Sequence, residues 1–232
     1  MKVVILQSNY IPWKGYFELI KDADTFCFYD EVQYTKNDWR NRNKILGPNG
    51  MFWLTIPIEK EAVKDKISNA VITNSSWQEK HFRTIEQTYA KSINKTEVLN
   101  LLSPIFLEKS WTNLSKLNRE IIIKISNYLG FQTIFKNSAD FNLDGDRVFR
   151  LINLIEQLNG KEYISGPSAK NYLKDYEHLF KEKEISLSYK TYGPYKKYEN
   201  KKSEFEDFVS IIDLLMNVPQ EEAHIYLTSQ KA

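Results

Sequence analysis

Residues 2–29, KVVILQSNYIPWKGYFELIKDADTFCFY, decide the fold. Val3 to Leu6 form a short continuous apolar run, the pattern of a strand buried on both faces. Gln7 to Trp13 are polar and aromatic and include Pro12, so the strand gives way to a loop. From Lys14 to Asp22, Phe17, Leu19 and Ile20 give a short helix its apolar side. Thr25 to Tyr29 is a second apolar run. Strand, loop, helix, strand is a βαβ unit, which implies parallel strands and a right-handed crossover.

The pattern then changes. Lys44 to Leu46 and Met51 to Ile56 flank Gly47-Pro48-Asn49-Gly50, a hairpin signal. A further strand is expected over Ala70 to Thr73. Helical spacing governs the middle: Trp77 to Lys91, Thr96 to Phe106 and Thr112 to Leu129, the last ended by Gly130. Phe131 to Phe135 reads as a strand. Asp144 or Asp146 caps a helix that runs through Leu158. Tyr163-Ile164 is a short strand, Ala169 to Leu173 a helix, Ile185 to Tyr192 a strand and Phe205 to Met216 a final helix. The order predicts one α/β domain over residues 1–232. It would be a Rossmann-like parallel sheet with a β-hairpin and a helical insertion at about 74–129.

Composition narrows the function. Thirty-two basic and 30 acidic residues leave a net charge of +2, too balanced for a dedicated nucleic-acid binder. The densest basic stretches, Lys36 to Lys44 and Lys196 to Lys202, are each interrupted by Asn, Tyr or acidic residues. Cys27, the single cysteine, lies in an apolar strand and reads as a core thiol rather than a nucleophile. One cysteine excludes intrachain disulfides and Cys-rich zinc sites. The N-terminal apolar run is too short for a signal peptide, and no segment has the length of a membrane span, so a cytoplasmic location is expected. His81, His178 and His224 lack metal-ligand spacing and read as structural or exposed. No P-loop, G-x-S-x-G or G-x-G-x-x-G is present.

Three polar segments follow predicted strands, where open parallel sheets bind ligands. The first contains Gln7, Asn9, Tyr10, Trp13 and Lys14 at the start of a helix. Backbone N–H groups and Lys14 would favour an anion there, and Gly15 would permit close approach. The alternative is an ordinary βα loop turned by Pro12. The second runs from Asp30 to Lys44. Asp30 and Glu31 can position a metal, a hydroxyl or an amine. Arg40 and Arg42, two apart, would share one face of an extended segment and present planar forks to phosphate or carboxylate. Gln33, Tyr34, Trp39 and Asn41 lie among them; the alternative is a solvated charged loop. In the third, Ser165 and Ser168 either bind phosphate or cap the next helix.

Gln7 to Phe17, Tyr29 to Tyr34 and Trp39 to Asn43 together resemble the signature of the WbqC-like family of bacterial surface-polysaccharide gene clusters. Residues 163–169 and 210–215 resemble its later motifs, so the likeness covers nearly the whole chain. It implies a role in assembling O-antigen, capsule or related glycans. The activity suggested for the family is transfer of glycine or another acyl group to a nucleotide-linked amino sugar. The opening βαβ unit is more loosely similar to the His-x-Gly-His nucleotidylyltransferases, but Lys14 and Tyr16 stand where their histidines would be.

The combined reading is a transferase or ligase. A nucleotide-sugar or activated acyl donor would lie over residues 7–16 and the Ser165–Ser168 turn, with a nucleotide and Mg²⁺ as the cofactor it would admit. Lys14, Arg40 and Arg42 would hold oxyanions, and Asp30 or Glu31 would orient or deprotonate an amine. The rival is a non-catalytic ligand-binding or scaffold protein of the same pathway.

Overall fold

A computed structural model describes residues 1–200 and 205–230. Five strands form one parallel sheet: β1 (Lys2–Leu6), β2 (Thr25–Phe28), β5 (Ile134–Asn137), β6 (Glu162–Ser165) and β7 (Ser186–Tyr189), in the order β5-β2-β1-β6-β7. β1 pairs with β2 in the register Val3↔Thr25 to Leu6↔Phe28, and with β6 through Val3↔Tyr163. The chain fills one side of β1 first, then crosses to the other, so the order of strand addition reverses between β1 and β6 while all strands stay parallel. That reversal is where such sheets open a crevice at their carboxyl ends.

Both sheet faces are covered, which explains the unbroken apolar runs. Val4, Phe26 and Phe28 face one core, and Val3, Ile5 and Cys27 face the other, as strand alternation requires. The first core takes α1 (Lys14–Asp22), the antiparallel hairpin of β3 (Arg42–Gly47) and β4 (Gly50–Thr55), and three helices: α2 (Ser76–Thr88), α3 (Lys95–Phe106) and α4 (Leu114–Tyr128). The second takes α5 (Arg147–Gln157), α6 (Lys170–Leu173) and α7 (Glu177–Glu182). α8 (Ile211–Asn217) and α9 (Ala223–Leu227) return to the first.

Several expected boundaries move. Ala70 to Thr73 is no strand: Val71 and Ile72 make only isolated bridges, to Asn113 and Ile58. The last long helix begins at Ile211 rather than Phe205, because Ser210 is extended and its hydroxyl accepts the Ile212 N–H. Asp146, not Asp144, caps α5. Lys201 and Lys202 of the second basic stretch lie outside the described residues. No helix of the described residues is long and apolar enough to cross a membrane.

Gly160 shows how tightly β1 is packed. A Cβ there would lie 2.7 Å from Ile155 and 2.8 Å from Val3. Gly160→Ala is expected to cost about 1–3 kcal/mol in urea denaturation through overpacking.

Candidate functional site

The loop after β1 is strained and held from several sides. Ile11 has φ 36, a conformation that β-branched residues avoid. The Asn43 side chain donates to the carbonyls of Tyr10 (3.2 Å) and Ile11 (2.9 Å). The Tyr10 N–H donates to the Trp39 carbonyl, and the Ile211 N–H to that of Pro12. Tyr10 is fully buried, with its hydroxyl 2.8 Å from His81 Nδ1.

Asp30 fixes the loop's root. One carboxylate oxygen accepts the Ser8 N–H at 2.8 Å; the other accepts the Ser115 hydroxyl and lies 3.5 Å from Arg119 Nε. Arg119 also donates to Asn137 Oδ1 at 2.6 Å, beyond the end of β5's apolar face. Asp30 is 2% exposed. Glu31 instead turns outward to Lys66 at 2.9 Å, and hydrogen bonds from Lys66 and Ser68 outweigh its desolvation and hold its pKa below the usual value.

This framework encloses a cavity of about 240 Å³ lined by Asn9, Pro12, Trp13, Trp39, Asn43 and Phe208. Asn9 Oδ1 is buried and has no hydrogen-bond partner. Trp13 is packed against Tyr192 (4.9 Å between ring centroids) and Phe208 (5.3 Å). A Cβ on Gly15 would lie 2.3 Å from the Trp13 indole, so this glycine admits a side chain of its own chain, where a ligand was expected. Outside the cavity, Trp39 contacts Trp53 at 5.5 Å, and Trp53 carries the Arg42 guanidinium at 4.1 Å and the Lys44 ammonium at 5.1 Å. Aromatic walls with a few amides suit a flat ring or the apolar face of a sugar, and the two cations suit a phosphate beside it.

The remaining expected residues are dispersed. Lys14 is 3% exposed, ion-paired with Asp207 and 4.4 Å from the Tyr195 ring; burial lowers its pKa against that partner's pull. Arg40 sits in a turn beside Asp38 at 3.2 Å, while Arg42 begins β3, so they do not share an extended face. Asn41 is buried and donates to the Ile56 carbonyl. Gln33 reaches the Val63 carbonyl, and the Gln7 carbonyl accepts the Tyr16 hydroxyl. Ser165 lies inside β6, 3.2 Å from the Tyr163 hydroxyl, and Ser168 is exposed in a 3₁₀ turn; neither caps a helix. Phe208 and Asn43 were not foreseen as cavity walls. Among the described residues, no group of three or more His, Cys, Asp or Glu is placed to hold a metal ion.

A model of the WbqC-like protein family matches residues 7–225. The chain is similar to the uncharacterized protein Rv1507c of Mycobacterium tuberculosis, with 43% identity over 221 residues, covering 95% of each chain. No solved structure matches it.

His81 makes the loop sensitive to acid. Burial, helped by Lys80, pushes its pKa down to about 4 against the Thr55 backbone contact. It is neutral in the folded state, whereas the unfolded side chain takes up a proton near pH 6.5. Its stabilisation is therefore complete above pH 6.5 and is lost as pH falls towards 4, by up to ~3 kcal/mol. Chemical denaturation from pH 7 to 4 should show that loss, and His81→Gln should reduce it.

Proposed function

Because the chain belongs to the WbqC-like protein family, we propose that it acts in bacterial surface-polysaccharide biosynthesis by binding a nucleotide-linked sugar in the cavity beside β1. The observation that carries this reading is the aromatic and amide lining, with Asn9 Oδ1 buried and unpartnered. A sugar hydroxyl or a base N–H would donate to Asn9. Trp13 and Trp39 would stack on the ring. Arg42 and Lys44, aligned by Trp53, would take the phosphates.

In the group-transfer form of this reading, the sugar's amino group receives glycine or another acyl group. The roles of Asp30 and Glu31 then differ. Asp30 has both oxygens engaged and acts by positioning the loop. Glu31, part-exposed beside Lys66, is the carboxylate with access to an amine. A binding role without chemistry is favoured by one further observation: the described lining of the cavity holds amides and rings and no titratable side chain.

Thermal shifts with UDP-, dTDP- and GDP-sugars, with and without Mg²⁺, test the ligand class. A ligand at ~100 times its Kd adds about 2.7 kcal/mol of stability. Trp39→Ala, at a half-exposed position, should weaken binding by about 1–3 kcal/mol with the fold intact. Unchanged affinity in both Trp39→Ala and Asn9→Ala would remove the cavity from the binding site. Asp30→Asn should lower stability and ligand affinity together, by roughly 1–3 kcal/mol in stability. Loss of turnover at full stability and affinity would make Asp30 the base instead. Turnover with any donor and acceptor pair would exclude the purely binding role.

A further inference from the structure

We propose that Arg147 and Arg150 form a second binding site, for a small oxyanion, at the carboxyl edge of the sheet on the face covered by α5 to α7. α5 is the crossover between β5 and β6, so it lies across β1, and its first turn stands where the order of strand addition reverses. Val148, Leu151, Ile152 and Ile155 pack beneath it against Val3 and Ile5. Arg147 and Arg150, three apart, share one side of that turn.

Each guanidinium lies near a tyrosine from a different strand's end. The Arg147 guanidinium lies 3.7 Å from the ring centroid of Tyr172, in α6 after β6. The Arg150 guanidinium is close enough to Tyr29, the residue that follows β2, for its charge to oppose the rise that burial gives the phenol's pKa. β2 and β6 flank β1, so the two arginines bridge the topological switch point. Their charge is not spent elsewhere. Among the described residues, arginine ion pairs within 4.0 Å are those of Arg40, Arg83 and Arg119. The nearby Asp146 carboxylate accepts the Val148 and Phe149 N–H groups, and Asp144 accepts from Asn142. Arg150 uses one terminal nitrogen on the Gly145 carbonyl at 3.1 Å, while its Nε is buried and has no partner.

A guanidinium stacked on Tyr172 and a second one a helical turn further on, with its Nε unpartnered, suit bidentate recognition of a phosphoryl or carboxylate group. Because Asp146 occupies the first free N–H groups of α5, the guanidinium groups rather than the helix end would hold the anion. The site is separate from the cavity, whose loop packs against the opposite face. It would seat the charged end of a second substrate.

Titration calorimetry with inorganic phosphate and, separately, acetate tests this on the full chain. Saturable binding of one of them is expected, with Arg147→Gln weakening it about tenfold or more. Arg147 is exposed, so this variant should fold, whereas Arg150→Ala also removes the donor to the Gly145 carbonyl. Tighter phosphate binding would assign a phosphoryl group, and tighter acetate binding a carboxylate. Nucleotide-sugar binding at the cavity should stay within about twofold of the parent in Arg147→Gln. Affinity for both anions unchanged by Arg147→Gln, or no saturable binding of either by the parent, would overturn the proposal and leave the cavity reading untouched.

Discussion

Asp30 ties together four parts of the chain that are far apart in sequence. Its carboxylate accepts from the loop after β1 and from Ser115 on α4, and it holds Arg119, which reaches Asn137 at the end of β5. Its own backbone carbonyl accepts the Ser68 N–H. A buried carboxylate is tolerated here because each oxygen accepts a hydrogen bond and a guanidinium stands beside it. The strained turn at Ile11 and the cavity beyond it stand on that base. Removing the carboxylate would leave the Ser8 N–H and the Ser115 hydroxyl without their acceptor and Arg119 without its counter-charge, so the loop and α4 would loosen together.

Much of the fold was legible because its signals are local. Val3 to Leu6 and Thr25 to Phe28 read as buried strands, since both faces of the sheet are covered. The hairpin followed from Pro48-Asn49 between β-rich runs, with Gly50 at φ 100 closing the turn. Ala70 to Thr73 misled because its β-branched residues satisfy single bridges rather than a ladder. The boundary at Ser210 was hidden because Phe205 to Val209 has an apolar content that suits a helix, while the actual start is set by a cap.

The site was less legible, for a physical reason. Asn9, Trp13 and Trp39 could be singled out as polar or aromatic residues in loops. What they enclose depends on Asn43 and Phe208, which reach the cavity through tertiary contacts with no local signature. Lys14 looked like a free cation because its counter-charge, Asp207, lies 193 positions away. Arg147 and Arg150 carry no local signal that sets them apart, and only the strand order places them at the switch point.

The cavity wall at Phe208 and the clamp at Lys14 also set a timetable. The polypeptide leaves the ribosome from its N-terminus at ~5–20 residues per second. β1, its loop, Trp39 and the hairpin emerge early, yet the pocket has no outer wall until position 208 has been made. A small molecule therefore cannot serve as a template for the first stages of folding. Until Asp207 arrives, the Lys14 ammonium also lacks its counter-ion and remains a solvated charge on an unfinished surface.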